Sequence, residues 1–349
     1  MSAVTGCCGG VRLQYLVRVP EPSPTPKRRG RLLRSGAALC VLLAVAGYLT
    51  VQYLTGGTGP GCEVVAAGRD GGSYEFTPEQ AVNAATIAAV GTGRGMPERA
   101  VTIALATALQ ESDLRNLDHG DRDSLGLFQQ RPSQGWGTAK EIMDPAYSAG
   151  VFYRHLDKVD GYQRLPVTVA AQRVQRSGFP EAYARHEPDA ALLSAALTGR
   201  AAATLTCQGR PGISPTTGPD AVRAALVRDF GREVVQVAGA EAGGGRGASP
   251  APTAPAAGAA TDGRTVTLPV RTGSGDGRST AERGWQLAHW AVANASALHI
   301  ERVAYAGREW TAGVTEGEWR AVDGKNGDRS AGSADSAGSA PTVRITTGR

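Results

Sequence analysis

The sequence predicts one transmembrane helix, an all-α domain beyond it and a small α+β domain at the C-terminus. Three observations predict this. An uncharged apolar run follows a basic leader. Two cysteines bracket a block whose apolar residues keep helical spacing. The segment after that block mixes strand and helix patterns around a stretch too poor in apolar side chains to fold.

Residues 1–34 carry seven basic side chains (Arg12, Arg18, Lys27, Arg28, Arg29, Arg31, Arg34) and one acid, Glu21. Their net +6 leaves −1 for the other 315 residues, so the overall +5 marks a basic cytoplasmic N-terminus and excludes a basic nucleic-acid-binding domain. Residues 35–55, SGAALCVLLAVAGYLTVQYLT, carry no charge. At about 1.5 Å per residue a helix of that length spans the roughly 30 Å of a bilayer core. The long leader fits an uncleaved anchor; a cleaved signal peptide, with a shorter apolar region, is the alternative. Positive charge before the run and none soon after it implies a single-pass cell-membrane protein facing outward from about residue 56.

The cysteines follow the same division. Cys7 and Cys8 belong to the reducing side, Cys40 to the span, and only Cys62 and Cys207 lie outside. An even pair in an oxidising space is most simply a disulfide, and it delimits a domain at 62–207. In that block Thr77-Pro78-Glu79 opens a helix to about Val90, with Thr at the N-cap and Pro at the first position. Pro97 opens another, PERAVTIALATALQES, whose side chains from Ala100 to Leu109 are apolar except for threonines, so it is buried on most sides. PAYSAGVFYRHLDKV and LPVTVAAQRVQRS also keep helical spacing, and nothing alternates as a strand.

From 211 to 346 the pattern is that of a small α+β domain. A helix (DAVRAALVRDF) and a strand (EVVQVA) precede residues 239–263, an Ala/Gly/Pro-rich segment that buries too little surface to order itself. TVTLPVR is a strand, Ser279 and Glu282 form a capping box for a helix through Ala297, and IERVAYAG and TVRIT close the domain.

Glu111 ends the buried helix. Glycosidic cleavage needs a protonated carboxylic acid beside the leaving oxygen, and burial together with the negative end of a helix dipole raises a carboxyl pKa. ALQES followed by GLFQQ resembles the ES…GLMQ signature of the lysozyme-like superfamily, in particular soluble lytic transglycosylases and goose-type lysozymes, over roughly residues 75–190. The resemblance implies a lysozyme-like all-α fold, Glu111 as catalytic acid, and Gln129 or Gln130 near the substrate along a cleft wall that includes Phe128. Phe128 stands where Met is usual. The Ala-Tyr-Asn motif of many transglycosylases is missing, with Gln172 of AAQRVQRSGF as its nearest counterpart. Trp136 and Tyr162 are residues that stack on sugars or pack the core. A hydrolase uses a second carboxylate, for which Asp118, Asp121 and Asp123 are the candidates; a transglycosylase needs one acid and releases a 1,6-anhydro product.

The segment GWQLAHWAVANASALHIERVAYAGREW resembles the back half of a domain related to the zinc D-Ala-D-Ala carboxypeptidases. In that resemblance Thr267 fills the Asp ligand position and Val343, Arg344 and Ile345 replace the His-x-His. Three protein ligands cannot be assembled, so no catalytic metal is expected, and His289 reads as a packed histidine. The expectation is an outward-facing enzyme that cleaves peptidoglycan glycan strands without a cofactor. The alternative is an inactive wall-binding or scaffolding protein of a division, secretion or conjugation assembly. What separates them is Glu111, which a decayed lysozyme would be expected to have lost.

Overall fold

Thr77 caps the first long helix as its sequence predicts. Its hydroxyl accepts from the Gln80 backbone N–H, and the Gln80 amide oxygen accepts from the Thr77 N–H at 2.7 Å. The computed structural model describes residues 40–41, 43–47, 61–68, 71–176, 180–208, 218–232, 234, 263–270, 277–313, 318–322 and 341–348. From residue 61 onward the α-helices among them are α1 (Pro78–Gly93), α2 (Glu98–Ser112), α3 (Ala139–Ile142), α4 (Pro145–Leu156), α5 (Val167–Gln175), α6 (Glu187–Leu197), α7 (Pro219–Phe230), α8 (Thr280–Ala293) and α9 (Ala295–Leu298).

Two expectations are corrected. The block 62–207 is not all-α. Strands β1 (Cys62–Val65), β2 (Ser73–Phe76) and β3 (Leu205–Cys207) form an antiparallel sheet in the order β2-β1-β3. Strands of three or four residues are too short to print a period-two pattern, which is why they escape notice in the sequence. Nor is a transmembrane helix found: among the described residues no helix is long and apolar enough to cross a membrane. Of the expected span 35–55, only residues 40–41 and 43–47 are described. They are helical, and Val41, Leu43 and Val45 are exposed. The rest of that run, the leader, most of EVVQVA and nearly all of 239–263 lie outside the described residues.

The small sheet brings its ends together. Cys62 is directly opposite Cys207 in the register, and the two form the expected disulfide. Closing a loop over a sequence separation of 145 contributes at most about 5 kcal/mol through chain entropy. Within the loop, α1 and α2 are buried along most of their lengths, rich in alanine and therefore able to lie close to neighbouring helices.

The second half is a five-stranded antiparallel sheet in the order β4-β8-β5-β6-β7, built from β4 (Thr265–Pro269), β5 (Ile300–Tyr305), β6 (Arg308–Thr311), β7 (Arg320–Ala321) and β8 (Thr342–Thr347). Helix α8, with the expected Ser279–Glu282 capping box, covers one face. It stops at Ala293, and α9 takes up the remainder as a separate turn.

Residues 59–349 form one compact unit in which the two halves share a seam. Gln286 on α8 donates to the Thr92 hydroxyl of α1, and the Trp319 indole donates to the Leu205 carbonyl at 2.9 Å. Asp229, fully buried on α7, accepts from the Trp290 indole (2.8 Å) and the Thr86 hydroxyl (3.3 Å) and pairs with Arg228. Gly199 carries a positive φ of 85° where a Cβ would lie 1.8 Å from the Glu282 carbonyl oxygen, so only glycine fits there.

Candidate active site

Helix α2 delivers Glu111 to the surface one residue before it ends. The chain then turns sharply through two successive left-handed residues, Asp113 (φ 55°) and Leu114 (φ 56°). Left-handed backbone at a non-glycine residue costs about 1 kcal/mol or more, and it persists here because the fold holds it. Gln80 donates to the Asp113 carbonyl and Asn83 to the Leu114 carbonyl, each at 2.8 Å. Ser112 then docks the GLFQQ segment, donating to the Leu127 carbonyl at 2.8 Å.

That segment is a tight loop closed by reciprocal backbone bonds between Leu125 and Gln130. Gly126 makes the turn possible: its φ is 74°, and a Cβ would meet the Ile142 carbonyl at 2.8 Å. The loop brings glutamines to a cleft of about 340 Å³ lined by Glu111, Asp121, Ser124, Gln129, Gln130, Arg131, Gln134, Trp136, Gln175 and Arg176. The lining is mostly amide, carboxylate and guanidinium, with one indole.

Burial pushes the Glu111 carboxyl above the ordinary carboxylate range, while hydrogen bonds from Tyr183 and Gln175 pull it back. The Tyr183 hydroxyl donates to Oε1 at 2.7 Å. The influences are opposed, and burial is the larger, so the net shift is upward.

The expected site residues divide. Glu111, Gln129, Gln130 and Trp136 come together around the cleft. Gln129 sits in a left-handed conformation (φ 47°), and Gln130 is buried, its amide donating to the Ser148 carbonyl at 3.2 Å while its Oε1 has no partner. Phe128 does not face the cleft. It is fully buried and stacks on Phe152, with centroids 4.7 Å apart, and it serves the site through its carbonyl, which accepts from Gln175 at 2.7 Å. Tyr162 is buried away from the cleft lining, in the short helical turn Tyr162–Arg164. Alternation in a tight loop points neighbouring side chains to opposite sides, so Phe128 goes inward where Gln129 goes outward.

Of the three candidate second carboxylates only Asp121 lines the cleft, and Arg131 pairs with it at 2.6 Å. Asp118 is exposed beside His119, which holds its carboxyl low. Asp123 accepts from the Ser133 backbone N–H, which lowers its carboxyl too. Neither borders the cleft.

Two residues that bond Glu111 were not anticipated. Gln175 lies on the helix expected to carry the counterpart of the missing motif, three residues beyond Gln172 and so on the same face. Its Nε2 bonds the Phe128 carbonyl, its side chain bonds Glu111, and its Oε1 has no partner. Helical spacing from Gln172 was the available signal. Tyr183, in the 3₁₀ segment Pro180–His186, had none, because a partner 72 residues away leaves no local pattern.

In the second half, Val343 and Ile345 are fully buried in β8, and Thr267 lies opposite Arg344. The positions that resemble metal ligands therefore hold core and sheet residues. Among the described residues no group of three His, Cys, Asp or Glu is placed to hold a metal ion. His289 is fully buried, its Nδ1–H donating to the Ala196 carbonyl at 2.8 Å, and Nε2 has no partner.

Residues 215–332, about a third of the chain, match the family described as VldE, C-terminal domain. The match includes α7, β4, α8, α9 and β5 to β7, and none of the cleft-lining residues lies within it. No curated protein matches the chain.

Proposed function

We propose that the protein cleaves the glycan strands of peptidoglycan, with Glu111 as general acid and then general base. The observation that carries this reading is an acid raised by burial on the wall of a polar cleft, with Tyr183 fixing one of its oxygens. The resemblance of ALQES and GLFQQ to the lysozyme-like superfamily supports it. So does the disulfide, which suits an oxidising compartment outside the cytoplasm.

In this reading protonated Glu111 gives its proton to the glycosidic oxygen as the bond from C1 to that oxygen breaks. The resulting carboxylate is held by Tyr183 and Gln175. It then takes the proton of the sugar's own 6-hydroxyl as that oxygen closes on C1. Asp121 is bound to Arg131, and Asp118 and Asp123 stand apart, which favours this single-acid, anhydro-forming route over hydrolysis by a carboxylate pair.

The test is digestion of purified peptidoglycan by the full-length protein and its Glu111→Gln variant, read by mass spectrometry. Products lighter by one water than hydrolytic ones, absent in the variant, support the proposal. Reducing-end products lost in the variant would make the protein a muramidase. Binding without cleavage would refute the enzyme reading in favour of a wall-binding scaffold.

A further inference from the structure

Beyond the acid, Trp136 connects the cleft to a group of cations on α4 and the turn after it. The Trp136 indole stacks on the His155 imidazole, with centroids 4.4 Å apart and planes 23° apart. Trp136 and Arg176 both line the cleft. His155 lies at the end of α4 between Arg154 on the helix and Lys158 in the following turn, and Arg154, Lys158 and Arg176 are all exposed. Arg176 closes α5 in a left-handed conformation (φ 52°). Burial lowers the His155 pKa, and Lys158, Arg154 and Arg176 lower it further with no acid opposing them, although exposed Asp157 and Asp160 share the same turn.

Among the described residues Arg154, Lys158 and Arg176 form no ion pair, whereas Arg131, which lines the cleft with Arg176, is closed onto Asp121. Like charges gathered at one side of a cleft repel each other and concentrate ligands of the opposite sign. Guanidinium groups in addition match carboxylate and phosphate oxygens in pairs.

We propose that Arg154, Lys158 and Arg176, beside the Trp136–His155 stack, form an anion-binding flank that holds a carboxylate or phosphate substituent of a glycan strand. The identity of the ligand as a glycan rests on the cleavage reading above. The indole offers an apolar plate for a sugar ring, and the cations hold the acidic group that the ring carries.

The test is titration of the full-length Glu111→Gln protein with three probes at low and high salt. These are neutral chitotetraose, an N-acetylglucosamine/N-acetylmuramic acid tetrasaccharide with free carboxylates, and poly(glycerol phosphate). The acidic tetrasaccharide is expected to bind more tightly than chitotetraose. That preference should shrink with salt and fall about tenfold in Arg154→Gln/Lys158→Gln, with chitotetraose binding unchanged. Arg176→Asn, which keeps a residue tolerant of left-handed backbone, should reduce the preference as well. Preference for the phosphate polymer over both sugars supports the flank with phosphate as its anion. Equal affinity for the two tetrasaccharides with no phosphate preference, or a preference unchanged in both variants, overturns it. A parent protein that prefers the acidic sugar yet never cleaves glycan would refute the enzyme assignment and leave the flank standing.

Discussion

Glu111 and His289 are both ionisable groups withdrawn from water, and the two halves of the molecule treat them in opposite ways. Glu111 has a cleft on one side and donors from Tyr183 and Gln175, so its proton has somewhere to go. His289 is enclosed with Trp285 and Trp319, at ring centroid distances of 5.4 and 5.9 Å, and touches one carbonyl. Burial favours the neutral form in both cases, raising the acid and pushing the imidazole down to about 4. Desolvation alone therefore does not make a site. The difference is access to a reacting group and a second set of contacts that limits the shift.

The largest expected effect separates the two in activity. Glu111→Gln should lower glycan cleavage by about 10²-fold or more with the circular dichroism spectrum unchanged. His289→Phe should cleave at nearly the parent rate, and a comparable loss there would break the contrast.

In stability the signs run against each other. His289 binds fewer protons folded than unfolded between its ordinary value of 6.5 and about 4. Stability should therefore fall as pH drops through that window, by on the order of 3 kcal/mol in all. Denaturant melts across it should show that slope in the parent and a flatter one in His289→Phe.

Tyr183→Phe removes a donor that stabilises the Glu111 carboxylate, so the acid should stay protonated to higher pH. The alkaline limb of the pH–rate profile should move upward, with a loss of about tenfold in the maximal rate. An unmoved limb would show that the Tyr183 bond does not tune the acid.

The smallest effect is again in stability. Because the fold raises the Glu111 carboxyl, the folded state binds more protons than the unfolded chain above the ordinary carboxylate range, and stability falls as pH rises through the shifted value. Glu111→Gln should then be modestly more stable than the parent at neutral pH, with the gap closing as pH falls to about 4. Equal stability at both ends would mean the acid is better solvated than its position implies.

The parts legible in the sequence share one property, that a local rule decides them. Thr77-Pro78 and Ser279–Glu282 announce helix starts within four residues, and the apolar run from Ala100 to Leu109 announces a buried helix ending at Glu111. Cys62 and Cys207 could be paired because they were the two cysteines expected on the outward side of the span. What stayed hidden was decided at a distance. The sheet of β1, β2 and β3 joins segments at the two ends of its block, Tyr183 reaches Glu111 from 72 residues away, and the inward turn of Phe128 follows from a loop geometry that motif likeness does not contain.

The Cys62–Cys207 bond also decides how the molecule answers a pull. Beside it the Gln208 N–H donates to the Gly61 carbonyl at 2.6 Å, so the chain enters and leaves the cleft-bearing block at neighbouring points. Tension applied along the polypeptide crosses there through a covalent bridge and bypasses the helices that shape the cleft. Stretched between its ends, the oxidised protein should lengthen without any contribution from residues 63–206, and only reduction should release that hidden length.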